Sequence, residues 1–401
     1  LKGNTIKKFD FRPLFSGMLP LFVLAHFSHH LLTALPIPLL PMIRNDFVLD
    51  YTQSGLLISA FTLSYGIAQL PAGWFADHIG PRILITIGIS GVGLAGLLVG
   101  LSETYGMTIV FLVLMGVAGG GYHPSAPSLI STVVEPKNRG RALGFHVIGG
   151  SASYFLAPLI GVAIATAWGW RGPFIGLAAP TFVFGIIFCV LLGRRTHIEE
   201  KKYRIADNHA ETLSTPGHLR RLVAFMTLST STQAILFSTI AFIPLFMVDH
   251  FGIAKETAAA SLAIIYSAGF WAAPLGGHLS DRLGRVPIIL TVCLISGPII
   301  YLLNLVPYGL GFGAVLLVIG MITTTRMPVS EDYIVAHTPA RYRSTILGIY
   351  FFSGTEGGGI LTPAMGYLID QLGFYHSFTI AGSTLVVVTL TCSVFLLGSR
   401  D

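Results

Sequence analysis

Long apolar runs alternate with short polar clusters along almost the whole chain. The runs fall at about 15–41, 53–76, 82–101, 107–133, 141–166 and 172–193, and again at about 220–248, 257–280, 286–305, 309–331, 344–369 and 375–397. Each is close to the ~20 residues a helix needs to cross a hydrocarbon layer about 30 Å thick, which predicts twelve transmembrane helices. Between the sixth and seventh runs lies a polar stretch holding Arg194, Arg195, Glu199, Glu200, Lys201, Lys202, Arg204, Asp207 and Glu211. It reads as a solvated linker with room for an amphipathic stretch on the membrane surface. The expected organisation is an N-terminal six-helix bundle (1–193), a linker (194–219) and a C-terminal six-helix bundle (220–401). The first run follows the basic lead LKGNTIKKFDFRPLFSG and continues without a small-residue cleavage site, so it reads as a first span rather than a removed signal peptide.

Composition narrows the class. Of 401 residues 53% are hydrophobic and 10% charged, against about 25% charged in a soluble domain, which excludes a soluble enzyme. The 46 glycines and 22 prolines suit membrane helices that pack closely and bend. A net charge of +6 on so apolar a chain cannot form the broad basic face that nucleic acid requires. Cys189, Cys293 and Cys392 lie far apart in apolar runs and support neither a disulfide framework nor metal-ligand spacing. Twenty of the 24 lysines and arginines fall in the N-terminal lead, the linker, the C-terminus and the loops of one side, whereas the other side holds Arg44, Arg171 and Lys255. Because basic loops stay inside, both termini and the linker are expected to be cytoplasmic, in a multi-pass protein of the cell membrane.

Shifting the chain by 204 residues superposes its halves. Gly73, Asp77 and Gly80 in GWFADHIGPR land on Gly277, Asp281 and Gly284 in GHLSDRLGRV. The same shift takes Pro124 to Pro328, Arg139 to Arg343, Gly144 to Gly348, Gly150 to Gly354, Gly169 to Gly373 and Phe174 to Phe378. Two six-helix bundles related by an axis along the membrane normal are expected, with a cavity between them near the midplane.

GWFADHIGPR resembles the Gly-x-x-x-Asp-x-x-Gly-x-Arg signature of the major facilitator superfamily, and GHLSDRLGR repeats it between spans eight and nine. The resemblance covers the whole chain and implies the all-α major facilitator fold. It also implies that Asp77 pairs with a neighbouring helix end while Arg82 joins a cytoplasmic charge cluster that latches one conformation. Gly73 and Gly80 belong to the same device, as do Gly277, Asp281, Gly284 and Arg285 in the second half. A carboxylate at a helix N-terminus is favourable, and such a pairing can break when the halves rock; the plainer alternative is a tight turn with solvated charges. HFSHHLLTALPIPLLP in the first span and Tyr122-His123-Pro124 in the fourth are similar to the fosmidomycin-resistance-type exporters, which implies drug efflux by proton exchange. The chain departs from that group where His30 replaces an acidic residue and Leu112 replaces an arginine common in proton antiporters. Ala157, Pro158 and Gly161 match only part of the antiporter Gly-Pro motif.

Ionisable residues inside spans cost about 2.5–3.5 kcal/mol on insertion scales and are default site candidates. Arg326, in MITTTRMPVSED, could clamp a carboxylate or phosphonate at two points, or pair with Glu331 or Asp332. Glu356, in GTEGGGILTP, is a candidate proton carrier, or a salt-bridge partner of Arg326. His26, His29 and His30, at i, i+3 and i+4, suit proton coupling or hydrogen bonding to an anion. Their HxxHH pattern is similar to one histidine box of membrane di-iron desaturases, but the other ten histidines stand alone in the sequence, and ligand count speaks against a metal. The 204-residue shift sets Tyr122 opposite Arg326 and His146 opposite Tyr350, so these positions are expected to face one cavity, with His123 beside them. Tyr65, Gln69, Gln233 and Tyr266 are further hydrogen-bonding candidates, and Arg44, Asp46 and Asp50 are assigned to the external rim.

The expected function is secondary active transport of a small anionic or amphiphilic molecule by alternating access, coupled to protons and most simply as efflux. No ATP-binding loop of the Gly-x-x-x-x-Gly-Lys-Ser/Thr type occurs, so a gradient must supply the energy. Proton-coupled uptake is the nearest alternative; a histidine-box membrane enzyme and a flippase or receptor are more remote. No enzymatic activity, cofactor or metal is expected, the partners being cargo, protons and lipid, and the chain is expected to act as a monomer.

Overall fold

Spans in hydrocarbon must satisfy their backbone N–H and C=O groups without water, and helices do so within one segment. The computed structural model describes residues 18–133, 139–199, 217–338 and 343–397, and among these the regular structure is helical. In the first half, α1 (Leu19–Thr33) and α2 (Pro36–Phe47) make one crossing and α3 (Tyr51–Ile79) the next. The third is α4 (Pro81–Thr86), a π turn at Ile87–Gly91 and α5 (Val92–Gly100). The fourth is α6 (Tyr105–Gly119) with α7 (Tyr122–Val133), followed by α8 (Arg139–Trp168) and α9 (Arg171–Glu199).

The second half repeats this plan. It runs through α10 (His218–Phe251), then α11 (Lys255–Ser267), a 3-10 turn at Ala268–Phe270 and α12 (Ala272–Leu283). There follow α13 (Arg285–Leu302), α14 (Leu310–Ala336) and α15 (Arg343–Leu396). Ten segments are individually long and apolar enough to cross a membrane. One of them, Ile346–Leu396, has 51 residues, about 75 Å of helix at 1.5 Å per residue, and it turns at Gly373 (φ 74°, ψ 171°) to make two crossings. The α11–α12 segment, divided by its 3-10 turn, completes the twelve. Helix α9 runs to Glu199, so part of the expected linker continues the sixth span. The rest of the linker's charges, the N-terminal lead and Lys137 lie outside the described residues.

The repeat is written into the backbone. Left-handed φ angles recur at the same 204-residue offset: Val48 (54°) with Gly252 (66°), Gly80 (94°) with Gly284 (90°), and Gly169 (69°) with Gly373 (74°). Phe174 and Phe378, also one offset apart, are both fully buried. Glycine serves these turns because it has no Cβ to clash; Val48 is the β-branched exception.

The halves meet along α3 and the first part of α15. A Cβ on Gly55 would meet the Thr362 carbonyl oxygen at 2.7 Å, and one on Gly359 would meet the Leu63 side chain at 2.5 Å. Small residues let these backbones approach closely, as in other membrane helix pairs, and the Ser59 hydroxyl donates across the seam to Gly359 O at 2.6 Å. At one rim Asp370 accepts from the Tyr51 and Thr52 backbone N–H groups (2.9 and 2.8 Å) and from the Thr52 hydroxyl (2.5 Å). Asp249 accepts from the Tyr51 hydroxyl at 2.5 Å and pairs with Arg44. Asp46 pairs instead within its own half, with Arg171 at 2.7 Å, and Asp50 caps α3 by accepting from Gln53 N–H at 2.6 Å.

Two substitutions test the turn assignments. Val48→Gly should raise the unfolding midpoint in detergent, because an L residue in the left-handed region costs about 1–2 kcal/mol. Gly373→Ala should lower the midpoint, through a loss of about 1–3 kcal/mol of stability, even though nothing lies within 4 Å of the added methyl.

Candidate functional site

Five histidines collect inside the first half. His26, His29 and His30 of α1 face Tyr122 and His123 at the start of α7 and His146 of α8. The approach of α8 depends on Gly149 and Gly150: a Cβ on Gly150 would meet the His26 ring at 2.7 Å. His26 Nδ1 donates to the His146 carbonyl at 2.8 Å, and the two rings stack with centroids 4.2 Å apart. His29 is fully buried; its Nδ1 donates to Gly88 O at 2.8 Å and its Nε2 faces the Tyr65 hydroxyl at 3.2 Å. Gly88 lies in the π turn of the third span. Both ring nitrogens of His29 are therefore satisfied by the protein, and its role here is to join α1, α3 and the third span. Tyr122 stacks on the His29 ring at 4.4 Å and is itself fully buried.

His30 and His123 form the part of this cluster nearest the second half. The Thr33 hydroxyl can donate to His29 O (3.3 Å) and so accepts from His30 Nδ1 at 3.2 Å. In the tautomer with hydrogen on Nδ1, the His30 Nε2 lone pair faces His123 Nε2 at 3.1 Å. Tyr154 of α8 packs on His30 at 4.8 Å and reaches Tyr266 of the second half at 5.3 Å between centroids.

The second half places a single guanidinium at the corresponding level. Arg326 of α14 is only 3% exposed. Its Nη1 donates to the Ser229 hydroxyl and the Tyr350 hydroxyl, both at 2.7 Å, with Ser229 O at 3.2 Å, and its Nη2 donates to Gln233 Oε1 at 3.0 Å. A Cβ on Gly354 would meet Gln233 Oε1 at 2.5 Å, so Gly354 seats Gln233 as Gly150, 204 residues earlier, seats His26. None of the three proposed carboxylate partners forms an ion pair with Arg326 among the described residues: Asp332 binds Arg285 at 2.5 Å, and neither Glu331 nor Glu356 pairs with it. Arg326 Nε has no partner. Of five guanidinium hydrogens, Nε–H and one on Nη2 are left for a ligand.

Glu356 of α15 is buried and lies against Gly66 of α3, on the seam between the halves, with Oε1 unpartnered. Sequence separation suggested Arg326 as its neighbour, whereas helix packing aims it at the other half.

The expected latch residues divide. Gly80 and Gly284 make the predicted turns, and a Cβ added at Gly73 or Gly277 would have nothing within 4 Å. Arg82 lies against Gly193 of its own half, and Arg285 bonds Asp332 of its own half. In this conformation neither spans the halves; the side chains of Asp77 and Asp281 lie outside the described residues. The contacts across the halves instead involve Asp249 and Asp370, which no sequence motif singled out. An acid at the polar end of an apolar run was their available signal. Ser229 carried no such signal, and Gln233 did.

Tyr122 with His146, and Arg326 with Tyr350, are matched pairs under the repeat, and each pair meets within its half: ring centroids of the first are 5.9 Å apart. Tyr122 and Tyr350 are fully buried, Tyr122 against the His29 ring and Tyr350 with its hydroxyl accepting from Arg326 Nη1.

A family model for the Major Facilitator Superfamily matches residues 22–363 and 268–401. The chain belongs to that superfamily. This major facilitator protein is 28% identical over 390 residues to a probable sulfoacetate transporter of Cupriavidus necator, covering 89% of this chain and 87% of that one. It is 25% identical over 337 residues to the multidrug resistance protein MdtG of Klebsiella pneumoniae, covering 83% and 81%. Its fold matches a bacterial homologue of the human lysosomal transporter Spinster, solved inward-facing and unoccupied, at a TM-score of 0.76 and 18% identity over 94% of this chain and 95% of that one.

Asp249 and Asp370 supply a direct test of the closed rim. Replacing both by Asn should weaken charge-assisted bonds worth about 1.5–3 kcal/mol each, shifting the closed-to-open ratio at least ~10-fold. Spin labels at the rim ends of α2 and α10 should report a longer distance population.

Proposed function

We propose that this major facilitator protein is a secondary active transporter of a small organic anion, driven by protons. The observation that carries the reading is Arg326: a buried guanidinium, held by neutral oxygens, with two donors left over and no carboxylate within ion-pair reach among the described residues. A buried unpaired charge is costly, and an anion with two acceptor oxygens would meet both its charge and its open donors. The sulfoacetate transporter among its relatives supports an acidic cargo. His30, His123 and Tyr154 would complete the cargo's surroundings from the first half.

Positive residues gather at the ends bearing the two Gly-x-x-x-Asp loops, which assigns those ends to the cytoplasm. On that assignment the rim of Asp249 and Asp370 closes the outside, and the conformation faces inward. Glu356 is the proposed proton carrier. It sits on a seam that must open when the halves rock, so its surroundings change between states, as coupling requires. The drug-resistance relative favours export in exchange for protons; the sulfoacetate relative keeps uptake by symport as the second reading.

Proteoliposomes of known orientation separate the two, since proton movement opposes cargo in exchange and accompanies it in symport. With sulfoacetate and a panel of carboxylates as probes, Arg326→Lys should lower anion affinity at least ~10-fold, because a point charge cannot make a planar two-point contact. Equal binding of neutral analogues, or an unchanged affinity in Arg326→Lys, would refute the anion reading. Glu356→Gln should abolish proton-driven accumulation while sparing counterflow, and intact coupling would reassign the carrier.

A further inference from the structure

The histidine cluster of the first half has a further property beyond lining the cargo's surroundings. One ring nitrogen from each of His26, His30 and His123 lies within 4.8 Å of the other two. His26 and His123 are separated by about half of the first half's sequence, and folding brings them together.

The tautomers favour a shared ligand. His26 gives its Nδ1 hydrogen to the His146 carbonyl, and His30 gives its Nδ1 hydrogen to Thr33 Oγ1. Oxygen acceptors behind Nδ1 are the arrangement that orients metal-binding imidazoles and frees the Nε2 lone pair. His26 Nε2 is buried without a partner, and so is the nearby Tyr122 hydroxyl. His30 Nε2 and His123 Nε2 are hydrogen-bonded at 3.1 Å, so an ion would take the place of the proton they share, at a spacing close to the roughly 3.3 Å between two nitrogens on a tetrahedral ion with ~2.0–2.1 Å bonds.

We propose that His26, His30 and His123 form a binding site for a borderline divalent cation of the zinc class. Three neutral imidazoles without a carboxylate or thiolate suit Zn2+ or Co2+ and disfavour Mg2+ and Ca2+, which take oxygen ligands. Three protein ligands leave a fourth position for water or an exchangeable anion, which would offset part of the ion's charge within the membrane. The site lies in the first half and shares His30 and His123 with the proposed cargo surroundings, but it rests on the imidazole geometry and not on Arg326.

The test uses the full chain purified through a tag free of histidine, without transport cargo. Equilibrium dialysis against Zn2+ should give one ion per chain by elemental analysis, and Co2+ should give the intense visible absorption of a tetrahedral nitrogen-ligated centre. His30→Asn and His123→Asn should each lower the affinity at least ~10-fold, while His376→Asn, at an exposed turn, should leave it unchanged. Absence of the tetrahedral Co2+ spectrum in the unsubstituted protein overturns the proposal whether or not the variants fold. Unchanged metal affinity in both folded variants overturns it as well.

Discussion

A polar group placed among membrane-spanning helices has no water to fall back on, so its partners must come from the protein or from a ligand. This constraint organises the interior. His29 binds a carbonyl and a tyrosine from two other spans; Ser59 reaches a carbonyl in the opposite half. Each bond ties together elements remote in sequence. Arg326 Nε, His26 Nε2 and Glu356 Oε1 are among the buried groups without a protein partner, and the proposals for anion, cation and proton binding rest on them.

Glycine makes those contacts geometrically possible. Where α3 crosses α15, and where α8 crosses α1, missing side chains bring backbones and rings to distances a Cβ would forbid. The same residue type handles the turns, where a left-handed φ recurs in both halves. The repeat therefore preserves the frame while the chemistry hung on it diverges. Equivalent positions carry Tyr122 in one half and Arg326 in the other, so one bundle holds an aromatic and imidazole stack and the other an isolated cation. The alternating access proposed for this protein would draw on that frame: two repeated bundles, a seam of small residues and a polar rim.

The rim and the loop ends explain why charge patterning in the sequence was only half readable. Lysines and arginines in loops mark a side of the membrane regardless of their partners. A latch is different, because it depends on which helix ends face each other in a given conformation. In this conformation Arg285 bonds Asp332 in its own half, while at the opposite end of α3 Asp249 and Asp370 bridge the halves through Tyr51 and Thr52.

Periodicity, length and the 204-residue offset determined the helical class, the number of spans and most of their boundaries, since these depend on local hydrophobicity and on backbone turns that reappear in the same register; the family followed from the resemblance carried by GWFADHIGPR and GHLSDRLGR. They also singled out Arg326, Glu356 and the α1 histidines, because a charge or imidazole within an apolar run is costly wherever it packs. Tertiary structure alone decided the partners. It sent Glu356 to Gly66 instead of Arg326, saturated His29, left Arg326 with donors to spare and carried His123 into contact with His30. Those outcomes depend on crossings between spans far apart in the chain, set by close helix contacts that no periodicity records.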